Sequence, residues 1–228
     1  MKPIVTLTLN PCLDQITGVD RVEPDRKLRM DAPRYDPGGG GINVSRAIHR
    51  LGGETRAIHI AGGPMGELLG ELLADEGVDH RAIRIEGKTR INPNVFEHGS
   101  DRLYRFIMPG PSVDAEAIDR CRDCVHGTME EADYLVISGS LPPEAADETY
   151  ADIASRLRAS DKRVVLDTSG NALRRAVEQG VYLIKPNLRE LRELAGESLD
   201  SDQQIAEAAR ALIDQGAVEI VLVSLGGA

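Results

Sequence analysis

The sequence predicts an α/β protein, with a mostly parallel central sheet, crossover helices and a small β lid. Three observations carry that reading. Short, nearly continuous apolar runs such as "ADYLVISGS", "KRVVLDTSG" and "VEIVLVSLGGA" alternate with amphipathic stretches of helical period. That alternation is the mark of parallel strands buried on both faces, with helices between them. Two pieces, about 16–35 and 88–108, break the rhythm and read as an extra β layer over the carboxyl ends of the main strands. The 228 residues suit one α/β domain with an appendage or two small domains; no internal repeat or low-complexity linker appears, and the first, 1–228 with lid strands in those two pieces, is the expectation.

Taken in order, "PIVTLTLN" (3–10) is a β-branched strand ended by Pro11, and residues 41–51 form an amphipathic helix. "ETRAIHIAGG" is a strand and glycine turn. "GELLGELLADEGV" is a helix with Leu68, Leu69, Leu72 and Leu73 on one face and Gly77 as its stop. "HRAIRIEG" is a strand. "RINPNVFEHGSDRLYRFIMPG" is two strand pieces around the turn "HGSD". Residues 143–160 are expected as one helix, and a short helix ends near Gln179. "VYLIKPN" is a strand, followed by helices "LRELRELAG" and "SDQQIAEAARALIDQG" before the last strand.

Bulk properties exclude several functions. A formal net charge of −10 argues against general nucleic-acid binding and against an anionic membrane surface. No run of about 20 apolar residues offers a membrane helix. The start reads as a strand and has no signal-peptide core. Three cysteines, an odd number, fit a reducing cytoplasm.

The chemistry concentrates in a few stretches. Gly38–Gly41 are four consecutive glycines at the mouth of a helix. Ordering each costs about 0.5–1 kcal/mol against alanine, so something must approach the backbone closely there. A dinucleotide fingerprint does not fit. Its glycines directly follow the first strand, whereas these come some 28 residues later. "AIRIEGKT" (82–89) imitates a phosphate loop, but its spacers alternate like a strand and no helix follows. The glycine run instead offers bare backbone and helix N–H groups to a polar or anionic ligand, with Asn43 in the first turn. Asp14 is expected in the loop after the first strand, where a carboxylate accepts two sugar hydroxyls.

In "LIKPNLRELREL", Asn187 caps a helix and Glu190 stands at its third position. A capping box alone explains this pair, and a ligand role stays open beside it. Lys185 ends an apolar strand, where burial without a charge partner is costly; a triphosphate with magnesium would supply the partner. Lys27, Arg29, Arg90 and Arg105 cluster in or near the odd β pieces and suit a phosphate ester. "CRDCVH" (121–126) has one cysteine pair on a helical stretch and makes a poor metal site.

Together "TLNPCLD", "GGGGINVSRAIHRLGG", "SGSLPP", "LDTSG", "IKPN" with Glu190, and "VSLGGA" resemble the ribokinase-like sugar kinases of the phosphofructokinase B group, along the whole chain and in family order. "KLRMDAP" and "YRFIMPGP" are most similar to the minor bacterial 6-phosphofructokinase branch. "TLNP" and "TRIN" are also similar to the 1-phosphofructokinase and tagatose-6-phosphate kinase branches.

The resemblance implies a three-layer ribokinase-like fold with a β lid, phosphorylation of fructose 6-phosphate or a related phosphoketose, ATP with Mg2+, and a homodimer through the lid. It implies substrate contacts from Asp14, Lys27, Gly39, Gly40, Asn43, Arg90, Arg105 and Ser140. Lys185, Asn187, Ser224 and Gly226 would face the nucleotide, and Glu190 would face the magnesium through water. The family's later Gly-Ala-Gly-Asp signature, which carries the catalytic base, does not occur in these 228 residues. The base is therefore expected beyond Ala228, with no catalytic residue assigned before it. A C-terminally incomplete kinase, inactive or nearly so on its own, is the expectation. A non-catalytic phosphosugar-binding module is the alternative.

Overall fold

A computed structural model describes residues 2–158 and 160–226. Seven strands, β1 (Ile4–Thr8), β4 (Thr55–Ala61), β5 (His80–Arg84), β8 (Tyr134–Ser138), β9 (Arg163–Asp167), β10 (Val181–Ile184) and β11 (Val218–Val221), form one parallel sheet. Their order is β11-β10-β9-β8-β1-β4-β5. The chain thus winds one way from β1 to β5 and the other way from β8 to β11. The reversal between β1 and β8 is the place where open α/β sheets leave a crevice at their carboxyl ends.

The helices follow this winding. α1 (Gly40–Arg50) and α2 (Gly63–Asp75) serve the first direction. α3 (Ala115–Met129), α4 (Thr149–Leu157), α5 (Gly170–Gln179), α6 (Leu188–Ala195) and α7 (Asp202–Asp214) serve the second. Right-handed crossovers place oppositely wound helices on opposite faces. On the face of α3 to α5, the register row Ile58–Leu7–Ile137–Leu166–Ile184 is buried throughout. It packs with Val125, Tyr150 and Leu173 in the main core. On the other face α1 and α2 bring Ile42, Leu69 and Leu73 onto Ala57. Leu68 and Leu72 flank that cluster, and Gly77 (φ +75°) follows the helix end, as the leucine spacing predicts. No helix among the described residues is long and apolar enough to cross a membrane.

The lid is a four-stranded sheet, β3-β2-β6-β7, built from β2 (Cys12–Val19), β3 (Arg34–Gly38), β6 (Arg90–Glu97) and β7 (Arg102–Arg105). β2 leaves and β3 returns at the carboxyl end of β1, so the lid hangs over that end. Its hairpin turns through "HGSD", with Asp101 at φ +53°.

Two expectations need correction. Asp14 lies within β2, opposite Asp36 and Asn92, and not in a loop. β1 stops at Thr8, and just past Pro11 the chain enters the lid at Cys12. The helix expected over 143–160 is limited to α4, from Thr149. Residues before it form turns, with Glu144 at φ +65° and Ala145 N–H donating to Pro142 O.

Candidate functional site

The site begins where β1 and β8 end. Gly39, at φ +118°, precedes α1, and a Cβ there would lie 2.7 Å from Thr8 Cγ2. A Cβ on Gly40 would overlap Ser138 Oγ, and one on Gly41 would lie 2.6 Å from Leu7 O. The glycines therefore have an internal reason: the start of α1 is pressed against the ends of β1 and β8. The expected supply of unused helix amides is also smaller than the sequence suggests. Ile42 N–H donates to Thr8 Oγ1 at 3.0 Å and Asn43 N–H to Gly39 O at 2.9 Å.

Gly38 explains the position of Asp14. A Cβ on Gly38 would lie 2.5 Å from Asp14 Oδ2 and 2.6 Å from Cys12 Sγ. Asp14 Oδ1 accepts from Asn94 Nδ2 at 3.4 Å and from the Cys12 thiol at 3.7 Å. Burial, with the Asp14 carboxylate second, pushes the Cys12 thiol up to about 12, so it stays protonated and donates. The exposed Asn43 accepts from Arg46 at 3.5 Å, and Arg46 ties α1 to the end of α2 through Glu76 at 2.8 Å. The Arg46 hydrogen bonds hold the Glu76 carboxyl below its usual range. Ser140, just past β8, accepts from Asn10 Nδ2 at 3.1 Å.

The expected phosphate cations are not gathered into one cluster. Arg90 spends its guanidinium on backbone carbonyls, with Asn10 O and Met108 O at 2.8 Å and Pro11 O at 3.4 Å. It braces the lid on the end of β1. Arg105 stands opposite Asn94, four residues along β6 from Arg90, or about 13 Å of strand. Lys27 lies in the exposed connection between β2 and β3.

Lys185 departs most from its sequence reading. It is 39% exposed and pairs with Asp167 Oδ1 at 3.2 Å, while Asp167 Oδ2 accepts from Ser138 Oγ at 3.3 Å. It is neither deeply buried nor in need of a triphosphate for neutrality. Asn187 and Glu190 form a full capping box, with Glu190 N–H to Asn187 Oδ1 at 2.9 Å and Asn187 N–H to Glu190 Oε2 at 2.8 Å. Ser224 bridges to Asn187, and Ser224 N–H donates to Pro186 O at 2.9 Å. Gly226 is exposed at φ +82°. The motif "VSLGGA" runs on through Gly227 to Ala228, and these two lie outside the described residues. Lys185, Asn187 and Ser224 meet at the carboxyl ends of β10 and β11, apart from the lid residues.

Sequence reasoning missed Asn10, Asn94 and Asp167. Asp167 had a signal, since it is an acidic residue ending an apolar strand. Asn10 and Asn94 had none beyond ordinary turn and strand composition.

The sequence matches the pfkB family carbohydrate kinase profile over residues 7–228. The chain belongs to that family. It is 47% identical over 226 residues to ATP-dependent 6-phosphofructokinase isozyme 2 of Mycobacterium tuberculosis (strain ATCC 25618 / H37Rv), covering 99% of this chain and 66% of that protein. It is 33% identical to the 1-phosphofructokinase of Bacillus subtilis, covering 98% of this chain and 72% of that one. The crystal structure of phosphofructokinase-2 from Escherichia coli in complex with fructose-6-phosphate superposes with a TM-score of 0.95 at 40% identity. That match covers 99% of this chain and 75% of the other, and it establishes the ribokinase-like fold and lid. The pfkB-family chain spans 66 to 73% of the length of the curated relatives it matches.

Proposed function

We propose that the shelf between the lid and the carboxyl ends of β1 and β8 binds fructose 6-phosphate, and that the kinase built on it transfers the γ-phosphoryl group of ATP to give fructose 1,6-bisphosphate. The observation that carries this is the likeness to 6-phosphofructokinases across the lid, the glycine junction and the strand ends. In this reading Asp14, held by Cys12 and Asn94, orients sugar hydroxyls. Gly39, Gly40, Asn43 and Ser140 line the sugar. Lys27 and Arg105 on the lid supply charge for its phosphate, with the partner copy of a lid-to-lid homodimer completing the set, and Arg90 adds its charge from the end of β1 while bracing the Asn10, Pro11 and Met108 carbonyls. The lid carries exposed Leu103, Phe106, Ile107 and Met108 for such a contact.

Lys185 and Asn187 face the ATP phosphates, and Ser224 and Gly226 face the nucleotide. Among the described residues no group of three or more His, Cys, Asp or Glu is placed to hold a metal. The donor set nevertheless suits magnesium arriving with ATP, which needs only one or two carboxylates beside the phosphates. Glu190 keeps Oε1 outside the capping box for a bound water. When bound, the ion would neutralise charge on the transferring phosphoryl group. The chain's own contribution is positioning and charge. None of its aspartates is assigned as the base.

Calorimetry with fructose 6-phosphate, fructose 1-phosphate and tagatose 6-phosphate tests the reading. Fructose 6-phosphate should bind best, and Asp14→Ala should weaken it at least about tenfold. A folded chain giving no heat with any of the three would overturn it. A preference for another ester would favour one of the sister branches.

A further inference from the structure

We propose that Asn10 is a specificity-determining residue of the sugar site, its Oδ1 accepting a hydrogen bond from one hydroxyl of the bound sugar phosphate. This rests on the reading of the shelf as a hexose-phosphate site. Asn10 follows β1 at the switch point and is 7% exposed. Its Nδ2 donates to Leu141 O and to Ser140 Oγ, both at 3.1 Å. Leu141 O is a carbonyl and only accepts, which fixes the amide orientation and turns Oδ1 the other way. Oδ1 is buried there without a hydrogen-bond partner.

Among the described residues the other buried orphans are guanidinium Nε atoms, a ring nitrogen and a hydroxyl. Only Asn10 Oδ1 can do nothing but accept. It therefore calls for a donor, which a sugar hydroxyl supplies and a phosphate oxygen does not. Its surroundings are those of the sugar shelf. Ser140 lies beside the amide. Arg90 holds the Asn10 and Pro11 carbonyls, and Gly39 abuts Pro11. Gly110, continuing the lid, meets Oδ1 with bare backbone, and a Cβ there would overlap it.

The test pairs ligand and protein deletions. Binding of fructose 6-phosphate, and of its four analogues lacking the hydroxyl on carbon 1, 2, 3 or 4, is measured by calorimetry on the full chain and on Asn10→Ala. For one analogue the wild-type chain should lose roughly tenfold to a hundredfold in affinity. Asn10→Ala should lose as much for fructose 6-phosphate and nothing further for that analogue. Gly110→Ala crowds Oδ1 but leaves the Leu141 and Ser140 contacts alone. It should show the same selective pattern if Asn10→Ala does not fold.

Equal weakening of all five ligands would reduce Asn10 to a structural brace and overturn the inference, as would unchanged fructose 6-phosphate affinity. If the wild-type chain binds fructose 6-phosphate and no analogue couples to either substitution, this inference fails and the site reading stands. If the wild-type chain binds no hexose monophosphate, both fall.

Discussion

Across the register row Ala57–Thr6–Val136–Val165–Leu183–Ile220 the sheet changes character at β8. Ala57 and Thr6 lie wholly buried under α1 and α2. Val136, Val165 and Leu183 are only half-buried, Ile220 is 40% exposed, and none of the four joins an apolar cluster. The row one residue along, from Ile58 to Ile184, is buried on every strand by α3 to α5. The side chains are of the same kind and sit on the same strands, so what differs is whether a helix lies above them. Parallel sheets are ordinarily covered on both sides. Strands β4 and β1 of this one are covered on both faces, while β9, β10 and β11 are covered on one face only. The residues proposed to hold the sugar stand by the covered part, on the lid and at the β1 and β8 ends. Lys185, Asn187 and Ser224 stand at the ends of the open part. Leu222 and Leu225 beyond β11 are more than half exposed, continuing the open face past the last strand.

The largest effect that probes this contrast is on turnover. A polypeptide of these 228 residues should bind fructose 6-phosphate through its covered half and show ATP-dependent product formation at background. The signature expected to carry the base does not occur in these residues, and working without a general base costs about 10²–10⁴ in rate. A coupled ADP assay on purified residues 1–228 checks this. Turnover at ordinary kinase rates would show that the nucleotide side is functionally whole.

A smaller effect separates the two rows in stability. Leu7→Ala removes a wholly buried side chain from the covered row and should cost about 2–5 kcal/mol. Leu183→Ala makes the same chemical change on the open row and should cost about 1 kcal/mol or less, since less apolar area returns to water. Urea midpoints at unchanged slope give both values. Equal losses would mean that Leu183 is covered in solution, for instance by a second copy.

The elements were legible because their signals are local. Leucine spacing gave α2, "HGSD" gave the lid hairpin, and the Asn187–Glu190 pair gave its capping box. What was illegible is relational. Nothing near Lys185 announces that Asp167, eighteen residues earlier, lies 3.2 Å away across one strand. Four glycines state that a backbone is approached, not that Ser138 and Leu7 do the approaching. Asn10 beside Pro11 reads as a turn until burial shows one of its two polar atoms unpaired. An apolar strand shows its pattern but cannot tell which face a helix will cover, so the open row shows only in the folded sheet.

The covered half carries its own weakness, and the smallest effect tests it. His59 on β4 is wholly buried, and its Nδ1 lies 3.0 Å from Ile60 O. That carbonyl only accepts, so Nδ1 holds the proton of the neutral ring and Nε2 accepts from His80 Nδ1 at 3.3 Å. Burial pushes His59 down to about 4 and lowers His80 as well, with Asp79 opposing the shift at His80. Above pH 6.5 both folded and unfolded rings are neutral, and the pair costs nothing. As pH falls below 6.5 the unfolded chain takes up protons that the folded one refuses, so stability drops until the folded rings titrate, near pH 4 for His59. Between pH 7 and 5 His59 alone should cost on the order of 2 kcal/mol. In His59→Gln that part of the slope disappears, whatever the substitution costs at neutral pH. Amides of β4 and β5 should lose exchange protection in mild acid relative to those of β9 and β10, where no buried histidine lies among the described residues. Parallel stability curves for the two proteins between pH 6.5 and 4.5 would show that the pair is charged or solvated in the folded state.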